Sequence, residues 1–148
     1  MIPKSCRLFR QDHASDKTQA ITMIDHVSIP VSDLARAALF YQAVLGAIGY
    51  SRLDVRPATI GFGKRYSEFW LNLRAGVPLA AGDCGAHVCL RAPSPAAVEA
   101  FHATALAAGG TSEGAPGPRP HFGEGYFAAF IRDPDGNRIE AVTFVKTP

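Results

Sequence analysis

The sequence predicts an α+β protein built from two copies of a βαβββ unit. Three observations lead there: an internal repeat displaced by 61 residues, strand alternation giving way to helical spacing in each copy, and turn-forming residues after each helix. The displacement lays Ile24-Asp25-His26-Val27-Ser28-Ile29 over Gly85-Ala86-His87-Val88-Cys89-Leu90. Residues 26–50 and 87–111 share seven identical pairs: His26/His87, Val27/Val88, Ala35/Ala96, Phe40/Phe101, Leu45/Leu106, Ala47/Ala108 and Gly49/Gly110. The apolar pattern between them is also kept, so a duplicated unit is the simplest account.

The elements follow in order. Val27, Ile29 and Val31 alternate with His26, Ser28 and Pro30, the period of a strand with one buried face. Ser32 or Asp33 then stands where a helix N-cap belongs, and Leu34, Ala37, Ala38, Tyr41, Val44 and Leu45 recur at helical spacing until Gly46 and Gly49 stop the helix. Strands are predicted near residues 50–55, 58–61 and 66–73. In the second copy Ser94 caps and Pro95 opens the helix, where a missing N–H costs nothing. Val98, Phe101, Ala105 and Leu106 form its expected buried stripe, ended by Gly109-Gly110. Strands near 126–132 and 137–144 flank Asp133-Pro134-Asp135-Gly136, which has the residue chemistry of a tight turn.

This pattern defines a 23–148 domain made of modules 23–74 and 84–145, joined by a linker over residues 75–83. Residues 1–22 are polar and without sustained periodicity, and are expected to be a flexible appended tail with Met23 as an alternative start. At 148 residues with 47% hydrophobic and 19% charged residues, the chain has the balance of one globular domain. A net charge of +2 advertises no nucleic-acid face, and no apolar run is long enough to span a bilayer. Three cysteines (Cys6, Cys84 and Cys89) make neither a disulfide framework nor a Cys-x-x-Cys knuckle, and suit a reducing cytoplasm.

Strand parity constrains the chemistry. With Val27, Ile29 and Val31 under the first helix, His26 takes the opposite sheet face; Val88 and Leu90 likewise leave His87 on the open face. Phe69, Leu71 and Leu73 are the core set of their strand, so Glu68 and Trp70 share the other face. Glu140 alternates with Ile139 and Ala141, although Arg132 or Arg138 could pair with it. Imidazole nitrogen and carboxylate oxygen suit a borderline divalent cation, so His26, His87 and Glu140 are candidate ligands for zinc, iron, nickel or manganese.

The residues Ile24-Asp25-His26-Val27, Val31-x-Asp33-Leu34, Phe40-Tyr41-x-x-Val44-Leu45-Gly46, Gly85-x-His87-Val88 and Asp133-Pro134-Asp135-Gly136-Asn137-x-Ile139-Glu140 resemble the vicinal oxygen chelate superfamily of glyoxalase, bleomycin-resistance and extradiol dioxygenase proteins. The resemblance covers residues 23–145. It implies paired modules forming a curved, eight-stranded mixed sheet around a divalent metal held by His26, His87 and Glu140, and a homodimer. A fourth ligand in the glyoxalase I pattern falls on either Glu68 or Trp70. With Glu68 the set fits proton transfer beside a carbonyl; with Trp70 it reduces to the two-His, one-carboxylate triad of non-haem iron oxygenases, and Trp70 becomes an aromatic wall for substrate.

Gly109–Gly125, rich in Gly and Pro, reads as a long loop over the cup that brings His121, Tyr126 and Arg119 to the ligand. Imidazole titrates near neutrality, so His121 is a candidate acid or base together with Tyr126. Arg119 would neutralise a substrate carboxylate or enolate. His102, on the second helix, is expected to be merely solvated. The expected function is a metal-dependent enzyme acting on a small oxygen-chelating substrate, as an isomerase or lyase or as a ring-cleaving dioxygenase. The competing expectation is a non-catalytic protein that sequesters an aromatic antibiotic or metabolite on Trp70, Phe62, Tyr66 and Tyr126.

Overall fold

A computed structural model describes residues 24–76 and 84–146; the expected tail, and all of the linker but residues 75 and 76, lie outside the described residues. The elements run β1 (Val27–Val31), α1 (Leu34–Gly46), β2 (Ser51–Arg56), β3 (Thr59–Gly63), β4 (Ser67–Leu73), β5 (Val88–Arg91), α2 (Pro95–Ala107), β6 (Thr111–Pro118), β7 (Tyr126–Arg132) and β8 (Arg138–Phe144), with a single 3₁₀ turn at Pro120–Phe122 before β7. The duplicated βαβββ order is therefore present. The eight strands form two separately hydrogen-bonded mixed sheets, ordered β1-β4-β3-β2 and β5-β8-β7-β6, each with one parallel pair at its inner edge.

Local chemistry accounts for the helices. Asp33 caps α1 by accepting the Arg36 N–H at 3.0 Å, and Ser94 caps α2 by accepting the Ala97 N–H at 3.2 Å. Ala37, Ala38, Phe40, Tyr41, Val44 and Leu45 bury one face of α1, and Val98, Phe101 and Ala105 do so for α2. Leu106 does not join them: it is 42% exposed, because the interior stripe of α2 is narrow and position 106 turns to its flank. One continuous core lies between the helices and the inner sheet faces, and includes Phe69 and Leu71 from β4 and Ile131, Ile139 and Ala141 from β7 and β8. Each Phe, Leu or Ile among them contributes roughly 1.5–3 kcal/mol when fully buried.

Most of the expected Gly109–Gly125 loop is in fact strand β6. Gly and Pro mark it because it is a sheet edge. Pro116 and Pro118 lose no interior ladder bond there, and the register shifts between Ser112 and Gly114 and between Gly114 and Gly117. Only residues 119–125 connect it to β7. His102 differs too: its Nε2 lies 2.8 Å from the Ser112 hydroxyl, tying α2 to β6.

The two modules meet at the turn 133–136. Asp133 is buried; it accepts the Tyr41 hydroxyl at 2.7 Å, both nitrogens of Asn137 at 2.7 and 2.8 Å, and the Asp135 N–H at 2.9 Å. Asp135 reaches back to module one, accepting from the Ser32 backbone N–H and hydroxyl and from Arg36 at 2.9 Å. Asn137 Nδ2 also donates to Pro30 O at 2.9 Å. The turn closes through Gly136, whose φ of 88° is ordinary only for glycine. Removing one donor from a buried carboxylate leaves it short of partners, so Tyr41→Phe should cost about 1–3 kcal/mol. The urea midpoint checks this, and a midpoint equal to wild type would show that the junction does not depend on that bond.

Candidate functional site

The open face of module two gathers the most chemistry. Glu140 follows the buried Ile139 on β8, pairs with Cys89 on β5 and with Phe130 on β7, and is only 2% exposed. A carboxylate so deep needs donors, and it has one on each oxygen. Oε2 lies 3.1 Å from His87 Nε2, and Oε1 accepts the Tyr126 hydroxyl at 2.5 Å. His87 sits just before β5, its side chain about half exposed, and it lines both a cleft of about 250 Å³ between the modules and a hollow of about 130 Å³ beside Glu113. Burial, the Glu140 charge and a hydrogen bond to Glu140 push the Cys89 thiol up to about 12. Burial and the Glu140 bond raise the Tyr126 phenol as well. Arg132 and Arg138 do not partner Glu140. Both converge on Glu113, with Arg132 Nε at 2.7 Å.

The other predicted residues are placed as follows. His26 stands exposed before β1 with Nδ1 2.8 Å from Asp25 Oδ2, while Tyr66 donates its hydroxyl to Asp25 Oδ1 at 3.4 Å. His121 stacks on Phe122 at 4.1 Å between ring centroids, and Phe122 packs edge-on against Tyr126, so His121 stands two rings away from Glu140 at the outside of the face. Arg119 places its guanidinium 5.8 Å over Phe130, the cross-strand neighbour of Glu140, and donates to Ala115 O at 2.6 Å. The structure thus brings together His87, Glu140 and Tyr126, adds Cys89, and leaves His26 outside. Among the described residues no group of three His, Cys, Asp or Glu is arranged to hold a metal ion.

Strand register separates Glu68 from Trp70. Ser28 pairs with Trp70 on β4 and Cys89 pairs with Glu140 on β8; Ser28 and Cys89 are repeat equivalents, so Trp70 stands where module two has Glu140. Glu68 lies two residues before Trp70 and accepts the Lys64 N–H at 3.4 Å. Trp70 donates Nε1–H to Ser67 O at 3.1 Å, carries the Arg56 guanidinium 5.1 Å over its ring and lies against Gly61, where a Cβ would come within 2.3 Å of Ser67 Oγ and 3.0 Å of the indole. Cys89 is the member of this site that sequence reasoning missed. Its signal was parity: it sits two residues after His87, which leads into β5.

The donor set fits half a metal site. His87 Nε2 and Glu140 Oε2 stand 3.1 Å apart in hydrogen-bond contact with each other, and two protein donors are fewer than a zinc site takes. A third protein donor would have to come from elsewhere.

Comparison with known proteins identifies the class. The family model of the Glyoxalase/Bleomycin resistance protein/Dioxygenase superfamily matches residues 23–141, and the chain belongs to that superfamily. Over 128 residues it is 31% identical to lactoylglutathione lyase GLX1 of Arabidopsis thaliana, a match covering 83% of this chain and 44% of that protein. The chain thus spans less than half the length of the curated relatives it matches. Among solved structures it is similar to a glyoxalase/bleomycin resistance protein from Albidiferax ferrireducens, with 34% identity, a TM-score of 0.73, and coverage of 82% of this chain and 98% of that one. It is also similar to a glyoxalase I mutant from Zea mays, with 26% identity, a TM-score of 0.61, and coverage of 79% and 45%. No helix of the described residues is long and apolar enough to cross a membrane.

Two outcomes test this description. Gly61→Ala should overpack first against Ser67, whose Oγ and Cβ the new Cβ would approach to 2.3 and 2.6 Å, and then against the Trp70 indole at 3.0 Å, costing about 1–3 kcal/mol and shifting the emission of the chain's single tryptophan. An unshifted spectrum would mean that the indole does not lie against position 61. In a Cys6→Ser, Cys84→Ser background, Cys89 should react slowly with iodoacetamide at pH 8, although its side chain is exposed, since so little of it is thiolate. Glu140→Gln, by removing the adjacent charge, should speed that reaction.

Proposed function

We propose that this chain is a metal-dependent enzyme of the lyase or isomerase type, acting on a small substrate through two neighbouring oxygens. The observation that carries the reading is the buried Glu140 with His87 on one oxygen. A carboxylate on β8 and an imidazole at the entry to β5, held at that spacing, would make two donors for zinc, iron, nickel or manganese. The similarity to lactoylglutathione lyase supports the reaction class. His26, exposed and outside this group, would complete the ligand set from a second copy in a homodimer, with module one of that copy facing module two of this one. A divalent cation so bound supplies an electrophile for adjacent substrate oxygens and steadies negative charge developing there.

The chain's own groups then have distinct tasks. His121, at the mouth of the face, exchanges a proton with the substrate, and Tyr126 supplies the hydroxyl on Glu140. Arg119, held over Phe130, offsets substrate negative charge, while Trp70 forms an apolar wall from the facing module. The three cysteines suit a reducing cytoplasm. One observation favours a second reaction: Trp70 in the place equivalent to Glu140 removes a carboxylate from module one and leaves two histidines and one glutamate. That set suits ring-cleaving dioxygenation better than proton transfer assisted by a second glutamate.

Metal analysis of protein purified without chelator tests the reading. About one zinc, iron, nickel or manganese per chain is expected, lost in His87→Ala and Glu140→Ala and reduced in His26→Ala, with a dimer by sedimentation. A protein that takes up none of these metals, yet binds aromatic ligands equally well after His26→Ala and His87→Ala together, would be a sequestering protein instead.

A further inference from the structure

Arg132 and Arg138 face each other across β7 and β8, at the neck of the hairpin. Like charges directly opposite on neighbouring strands repel, so the pair needs an anion. Glu113 on β6 supplies one. Its Oε1 accepts from Arg132 through Nε at 2.7 Å and Nη2 at 2.6 Å, and its Oε2 accepts from Arg138 Nε. Burial opposes ionisation of Glu113, but the two arginines outweigh it and hold its carboxyl below the ordinary value. This brace fixes both guanidinium groups, whose side chains are only 22% and 29% exposed.

Both arginines line the cleft of about 250 Å³ between the modules, whereas Glu113 borders the smaller hollow instead. Among the described residues no Asp or Glu lines that cleft. Its other walls include Ile29 and Pro30 of β1, and Ala86 and Val88 around the start of β5. Pockets for drug-sized ligands run from about 300 to 1,000 Å³, so the occupant is smaller than those. Each guanidinium is a planar fork of N–H donors matched to a carboxylate, and one carboxylate cannot engage two such forks fully.

We infer that this cleft binds a small carboxylic acid with a compact apolar body: Arg132 and Arg138 hold the carboxylate, and Ile29, Pro30, Ala86 and Val88 enclose the body. The apolar walls favour such an acid over inorganic phosphate, which has no apolar surface to bury against them. The site needs no metal and does not depend on the metal reading above.

Calorimetry on the full chain, treated with EDTA and desalted so that no metal collects the ligand, compares benzoate, its neutral isostere benzamide, and phosphate. Benzoate should bind at least about tenfold more tightly than benzamide, and more tightly than phosphate. Arg132→Gln and Arg138→Gln should each remove most of that preference. No measurable benzoate binding, equal affinity for benzamide, stronger binding of phosphate, or benzoate affinity unchanged in both folded variants overturns the inference. Both arginines also tie β6 to the hairpin, so a measurement on the unaltered chain accompanies the variants. Cys84 lines the same cleft. Benzoate, unlike benzamide at the same concentration, should slow its alkylation by iodoacetamide severalfold, read on the Cys84 peptide by mass spectrometry. An unchanged rate with benzoate bound puts the acid elsewhere and overturns the site.

Discussion

Two carboxylates in one turn hold this molecule together. Asp133 and Asp135 sit at the hairpin of module two, yet their partners include Tyr41, Ser32 and Arg36 of module one. Neither sheet is hydrogen-bonded to the other, so the relation between the modules depends on these side-chain bonds, on Asn137 bridging to Pro30 O, and on the shared core. Burying Asp133 raises its carboxyl above the ordinary value, a penalty that the Tyr41 and Asn137 bonds oppose. The chain accepts that desolvation because an unsatisfied carboxylate would be costlier still, and four donors meet it. The turn also feeds directly into β8, so the junction fixes the strand on which Glu140 stands.

Functional asymmetry has been laid over a symmetric scaffold. The two open faces are equivalent in backbone register, yet one carries Glu140 with His87, Cys89 and Tyr126, and the other carries Trp70 flattened on Gly61 beneath Arg56. One half is ionic and hydrogen-bonded; the other is aromatic and offers a broad apolar surface. A ligand lying between two such faces would meet a charged end and a flat wall. This division is what the superfamily's two-module plan permits, because each module can change its open face without disturbing the helix side.

Much of this was legible in the residues. The repeat, both N-caps, the helix stripes apart from Leu106, and β1, β4, β7 and β8 followed from periodicity, because alternation and 3.6-residue spacing report directly which face meets the core. β6 did not, since an edge strand with bulges tolerates the Gly and Pro that elsewhere mark a loop. The pairing of His87 with Glu140 followed from parity, but the distance of His26 from both did not. Parity gives the face of a strand and says nothing about how two sheets are set against one another. Glu68 and Trp70 share a parity, so only register could tell them apart. The reach of Tyr126 to Glu140 was likewise invisible, because it depends on a side chain lying along the strand.

The proline-bearing edge has a bearing on how copies of the chain meet. β6 closes its sheet with two residues that lack an N–H, and with a ladder broken at two register shifts. Such a margin resists extension by a strand from another molecule. The corresponding margin of the first sheet, β2, lacks proline and carries a single register shift, between Arg52 and Asp54, and it exposes Leu53 and Val55 between Arg52 and Arg56. Strand-wise aggregation of partly folded copies would therefore begin at β2, where a single bulge and the charges of Arg52, Asp54 and Arg56 discourage it.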